Sequence, residues 1–193
     1  HRWTVDYAGT VDFDLNTDWT SRTSAGMQMN ARQRKTTSSG GEGLVANNLN
    51  LVSAAAVTTG AESSSEQTSL GFFLQEEVGW RDRVFLTGAV RIDDNSAFGS
   101  DFSMVVYPKA SVSWVLSDED FFNIDMFEQL KLRFAWGKAG NAPGPFEADR
   151  TYTTGNTALD GAVVNLLLPS NYGNPDLKAE EGQEFETGFD ASI

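Results

Sequence analysis

The sequence has no cysteine and one histidine, His1. Without cysteine there are no disulfides, no thiolate zinc ligands and no thiol nucleophile. With one imidazole there is no His-based triad and no His-rich metal site. Positive charge is also scarce: Lys+Arg is 14 against 27 Asp+Glu, a formal net charge of −13. An acidic surface of that kind repels a phosphate backbone, so nucleic acid is not an expected partner. Long apolar runs are missing as well. The longest, around 51–57 and 162–168, fall far short of the roughly 20 residues of a membrane-spanning helix. These absences remove most enzyme chemistries, and no catalytic residue, metal ligand or cofactor is expected. What remains is 193 residues, 40% hydrophobic and 21% charged. That is no composition for a disordered tail, and it suits one domain or a piece of a larger one.

The dominant period is two. Trp3, Val5, Tyr7, Gly9, Val11, Phe13 and Leu15 share one face of the first segment, and Thr4, Asp6, Ala8, Thr10, Asp12 and Asp14 share the other. This alternation runs well beyond the usual strand of about 5–6 residues. After a turn at Asn16–Asp18 it resumes from Trp19 to Lys35, then from Leu70 to Trp80, and after Arg81-Asp82 from Val84 to Ile92. Further strands are expected at Phe102–Leu116, Leu130–Trp136 and Phe185–Ile193. Pro108 cannot donate to a ladder, so a bulge or irregular pairing is expected there. Ser117 with Asp120 three residues on resembles a helix start, giving a short helix through about Gln129. Thr36–Gln67, Asp93–Asp101 and Gly137–Glu180 read as loops.

Short and long connections alternate, as in an up-and-down antiparallel meander whose brief turns all lie at one end. Outer-membrane barrels have this asymmetry. Trp19, Trp80 and Trp114 sit on the apolar face beside short turns, where an interfacial aromatic girdle places tryptophan. A soluble sandwich also alternates, but its strands recur every 8–12 residues, far more densely than here. The expected fold class is all-β: an antiparallel up-and-down meander, read as a fragment of a large transmembrane β-barrel with long extracellular loops in preference to a soluble sandwich, which the pattern alone leaves open. Both termini fall within alternating segments, consistent with a fragment.

Local motifs have plainer readings. Gly41-Glu42-Gly43-Leu44-Val45-Ala46 fits a dinucleotide-binding pattern, but a Ser/Thr-rich run precedes it instead of a buried strand, so it reads as loop glycine. Asp93, Asp94, Asn95 and Asp101 lack the spacing of a calcium loop. Glu76 and Glu77 face opposite sides of a strand and cannot share a substrate. Glu76 moreover falls on the apolar face, in conflict with a lipid-facing wall unless it lies above the membrane or against another element.

Longer strings carry a resemblance. Gly71-Phe72-Phe73-Leu74-Gln75-Glu76-Glu77, followed by the run from Trp80 to Asp93, resembles TonB-dependent outer-membrane receptors, especially the SusC/RagA-like group. Asn95–Gly99, Tyr107–Trp114, Leu130–Asn141, Asn174–Glu180 and Glu184–Asp190 continue it in order. The resemblance is collinear from about Ser69 to Ile193 and looser from Arg2 to Lys35. It implies that residues 1–193 are a partial receptor barrel of about seven strands, lacking the plug and the C-terminal strand. It further implies outer-membrane active transport of a nutrient such as an oligosaccharide or peptide, and an integral place in the bacterial outer membrane. The implied partners are membrane lipid, the TonB energy-transducing complex acting through the missing plug, and a SusD-like surface lipoprotein. A passive porin-like channel and a soluble β-rich carbohydrate-binding or adhesion module remain as alternatives. Asp12, Gln75, Glu77, Arg91, Lys109 and Arg133 are candidates to line the lumen. Asn141, Phe146, Tyr152 and Tyr172, in the third long loop, are candidates to touch ligand.

Overall fold

A computed structural model describes residues 1–46, 48, 50–98, 104–124 and 126–193. Among the described residues nine strands form: β1 (Arg2–Asp14), β2 (Trp19–Leu44), β3 (Ala55–Trp80), β4 (Val84–Asn95), β5 (Val105–Val115), β6 (Gln129–Asn141), β7 (Thr151–Leu159), β8 (Ala162–Asn171) and β9 (Glu180–Ser192). Seven make one antiparallel sheet in the order β1-β2-β3-β4-β5-β6-β9, and β7 pairs with β8 in a separate hairpin.

The ladders keep the alternation in register across the sheet. Trp19 lies opposite Trp80, Trp80 opposite Val84, and Val84 opposite Trp114. Higher on the same face Met27 meets Phe72, and Phe72 meets Ile92. The apolar residues of neighbouring strands thus fall in continuous rows on one side, with the polar residues opposite them. None of the described residues covers the apolar side. Phe72 is 51% exposed, Leu74 51%, Tyr7 72% and Phe189 69%, and no large side chain is fully buried among the described residues. A single sheet cannot bury its own apolar face, so this one is built to meet an external apolar medium or another layer.

Several expectations need correction, among them the start of the Asp93–Asp101 loop, since β4 runs on to Asn95. Thr36–Gln67 is not a long loop: β2 and β3 continue as one ladder up to Leu44 opposite Ala55, leaving only 45–54 as connection, with a single 3-10 turn at Val52–Ala54. Gly137–Glu180 is not all loop either, since it contains the β7–β8 hairpin. Its turn holds Asp160 at φ 49° and Gly161 at φ 79°, the left-handed pair that a two-residue hairpin turn requires. The helix expected after Ser117 is replaced by a 3-10 turn at Leu116–Asp118. There the acidic residues serve the neighbouring strands. Glu119 accepts from Trp114 Nε1 at 2.9 Å and from Arg83 at 3.4 Å, and Phe121 packs edge-on against Trp114. A helix of so few turns has little stability of its own to set against those contacts. Asp125 lies outside the described residues, as do Gly99, Asp101 and Phe102, each part of a loop, strand or motif expected from the sequence.

Pro108 pairs regularly opposite Val90, without a bulge. The β5–β6 ladder begins at Lys109 opposite Gly137, so the proline stands just beyond it. Above that point β5 stays with β4 while β6 continues with β9 to Asn141. The Tyr107 side chain fills the wedge between them, close enough to Gly140 that a Cβ there would meet its hydroxyl at 2.7 Å.

Candidate functional site

All six residues expected to line a lumen lie on the polar face, and cross-strand geometry decides which of them are occupied. Asp12 lies opposite Arg22, and Arg22 opposite Glu77. The Arg22 guanidinium donates to Asp12 at 2.6 Å and reaches Glu77 at 3.9 Å. Arg91 donates to both oxygens of Asp93, at 2.8 and 2.9 Å, and to Gln28 at 3.1 Å. Arg133 pairs with Asp190 at 3.0 Å. Gln75 stands in a row with Ala89, Lys109 and Gly137. Asp12, Glu77, Arg91 and Arg133 therefore belong to internally paired wall, whereas Lys109 has no acidic partner among the described residues. It borders a trough of about 570 Å³ over the small residues Ala135 and Gly137 of β6, with Glu184 and Glu186 on the far side.

Glu76 is on the apolar face. The carboxylate accepts from Ser21 Oγ and Thr23 Oγ1, each at 2.5 Å. Both donors stand on β2, so the acid clips β2 to β3 and has its own oxygens partly satisfied. Glu77 faces the other way, as strand alternation demands.

At the short-turn end Arg81 and Asp82 adopt φ of 50° and 57°. Non-glycine residues tolerate this region only with compensation. Arg81 N–H donates to the Asp18 carbonyl at 2.7 Å, and its guanidinium donates to the Asp18 carboxylate at 2.9 Å while lying over the Trp80 ring. The bond to Asp18 also raises the Arg81 pKa above its ordinary value.

The four loop candidates are partly gathered. Phe146, Tyr152 and Tyr172 surround the base of the β7–β8 hairpin. The Asn171 amide donates to the Phe146 and Asp149 carbonyls at 3.0 and 3.2 Å, and Arg150 lies over the Tyr172 ring. Asn141 stands apart, at the upper end of β6 opposite Glu180. The sequence reading passed over Arg2, Arg32 and Arg34, which share the polar face above Asn30. Their signal was present as even-numbered positions in the polar series of β1 and β2. Among the described residues no cluster of three or more potential metal ligands occurs. Gly41 and Gly43 lie within β2, which runs on to Leu44, and so sit in a strand and not at the opening of a helix.

A sheet with one uncovered apolar face, one ion-paired polar face, short turns at one end and long hairpins at the other is the wall of a large up-and-down β-barrel. The comparisons agree. The family model "TonB dependent receptor-like, beta-barrel" matches residues 1–192, and the chain belongs to that family. TonB-dependent receptor P26 of Formosa agariphila is 32% identical over 124 residues, 63% of this chain and 12% of its own length. TonB-dependent receptor P39 of the same organism is 28% identical over 138 residues, 70% of this chain and 13% of its own length. The chain thus spans about an eighth of these relatives. The structure of the RagAB peptide transporter superposes with TM-score 0.85 at 20% identity, over 97% of this chain and 21% of that one. A RagAB peptide importer in the 'open-open' state superposes with TM-score 0.83. At that identity the likeness is one of fold.

Proposed function

We propose that this chain is a wall segment of a receptor that actively imports a nutrient, an oligosaccharide or peptide, across a bacterial outer membrane. The uncovered apolar face carries the reading. From Trp19 to Met29 a strand tilted by about 40° rises roughly 25 Å at about 3.3 Å per residue, which matches the apolar band of an outer-membrane barrel. The Trp19–Trp80–Trp114 row then marks the periplasmic boundary, and the β2–β3 and β7–β8 hairpins stand outside the cell. Membrane lipid is the partner of the apolar face. The polar face, with its fixed ion pairs, lines the lumen. In the whole receptor a plug would fill that lumen and couple to the TonB complex, and a SusD-like surface lipoprotein would meet the long hairpins.

The test uses the full-length receptor. Outer-membrane fractionation and heat-modifiable migration on a denaturing gel are expected, together with uptake that stops when TonB is deleted. A soluble fraction without a gel shift overturns the barrel, and uptake independent of TonB favours a passive channel. Deleting residues 142–172 should impair uptake while the heat-modifiable band persists.

A further inference from the structure

The bases left without a partner are not scattered. Of the 14 Lys and Arg residues, most engage a carboxylate or lie over an aromatic ring. Lys178 is engaged as well. Among the described residues Arg2, Arg32, Arg34 and Lys109 have neither kind of partner, and all four stand on the polar face. In a chain with 27 acidic residues this is unexpected, because a carboxylate is rarely far from any base.

Strand alternation explains how the arginines stay unpaired. Arg2 lies directly opposite Arg32, and Arg34 is two residues further along β2. On β3 their partners are Gln67 and Ser65, both uncharged. The carboxylates of that stretch of β3, Glu62 and Glu66, occupy even positions and project from the opposite side, where Glu62 holds Lys35 at 2.7 Å. One row below, Thr4 and Asn30 bond to each other at 2.9 Å, and below them Gln28 already donates to Asp6. Like charges directly opposite in an antiparallel ladder are destabilising. Arg2 and Arg32 nevertheless face each other. Arg32, Arg34, Ser65 and Gln67 together with Pro145 line a recess of about 130 Å³. Gln67 also donates to the Pro143 carbonyl at 3.4 Å, which brings the segment before β7 to the edge of the recess.

We infer that Arg32 and Arg34, with Arg2 beside them, form an anion-recognising comb at the extracellular mouth, and that its ligand is an extended peptide carrying carboxylates at alternate positions. Guanidinium forks take carboxylates in bidentate fashion. Residues two apart on a strand are separated by roughly 6.8 Å, and an extended peptide with acidic residues at i and i+2 repeats at that same distance. Gln67 and Ser65 supply neutral donors beside the charges. Lys109, lower on the same face and likewise unpaired, gives such a ligand a second cationic station within the wall. The inference rests on the reading of the polar face as lumen, and it names the class of cargo that this face selects.

The experiment uses the full-length receptor in detergent and three labelled probes: a hexapeptide alternating glutamate and glycine, its glutamine counterpart, and a galacturonate hexamer. The glutamate peptide should bind more tightly than the glutamine peptide, and the difference should shrink as salt rises. Replacing Arg32→Gln and Arg34→Gln together should weaken glutamate-peptide binding by roughly 10- to 100-fold. The double Arg→Lys variant keeps the charge and loses the fork, so it should fall between. Lys35→Gln, on the opposite face at the same height, should change nothing. Equal binding of the two peptides by the unaltered receptor overturns the proposal without recourse to any variant. So does an unchanged affinity in the double Gln variant. Arginine-dependent binding of the galacturonate hexamer in place of the peptide overturns the assignment of ligand class. Heat-modifiable migration of each variant, scored in parallel, separates these failures from failure of the barrel itself.

Discussion

The β2–β3 hairpin is one ladder with two halves that obey different rules. In the lower half, residues 19–31 against 68–80, rows of Trp, Met, Phe and Leu occupy one face, and Arg22, Gln28, Gln75 and Glu77 are on the other. In the upper half, residues 32–44 against 55–67, the backbone pairing continues, yet Ser, Thr, Gly and charged residues populate both faces. Backbone hydrogen bonding is therefore indifferent to the sorting of side chains. What sorts them in the lower half is the medium on either side, and where that medium ends the sorting ends.

The same difference decides what can be read from sequence. Periodicity of two located the lower half of every wall strand, as lipid on one side and water on the other would impose on the reading proposed above. It stopped reporting at Lys35 and resumed at Leu70, so a hairpin wet on both sides passed for a loop. The β7–β8 hairpin was missed although Asp160-Gly161 is a strong hairpin signal and Val163–Leu168 an apolar run, since Gly and Asn around it pointed to irregular chain. The polar face was legible in the alternation: all six candidates lie on it. Which of them are free was not, because partners such as Arg22 for Asp12 and Asp190 for Arg133 lie in other strands and depend on register.

The comparison breaks most sharply with a charge on the apolar face of the lower half. Phe72→Lys places an ammonium at mid-band, between Met27 and Ile92. A lysine at the bilayer midplane destabilises a barrel by about 2–4 kcal/mol. Equilibrium unfolding of the receptor in lipid, followed by tryptophan fluorescence, should show that loss. A midpoint equal to wild type would mean that this face does not meet lipid.

Gly26→Val tests the opposite face at the same height. Gly26 lies opposite Phe73, and a Cβ there would come within 2.5 Å of the ring's Cε1 and within 2.6 Å of the Tyr7 carbonyl oxygen on β1. Overpacking of this kind costs about 1–3 kcal/mol. The double variant Gly26→Val with Phe73→Ala should recover part of the loss in the same assay, and no recovery would show that the backbone, not the ring, sets the limit.

Gly161→Ala probes a turn outside the seven-stranded sheet. Its φ of 79° disfavours any residue with a Cβ, by about 1 kcal/mol. Because β7 and β8 pair only with each other, the damage should remain local. Hydrogen exchange in residues 151–171 should accelerate while the wall strands keep their protection. Faster exchange in β6 or β9 would reveal coupling between hairpin and wall.

The smallest effect is expected from the substitution that most resembles the largest. Thr37→Lys introduces the same ammonium on the same face of the same ladder as Phe72→Lys, but above the band. Its position is opposite Glu62, which already holds Lys35, and on the proposed reading water surrounds both sides, so the charge needs no desolvation. A surface change of this kind should remain within about 0.5 kcal/mol of wild type. If Thr37→Lys were as damaging as Phe72→Lys, the band would extend past Lys35, and the arginines at 32 and 34 would lie at membrane depth instead of at the mouth. Near-neutrality at 37 together with severe loss at 72 places the outer boundary between them, using one ladder as the ruler.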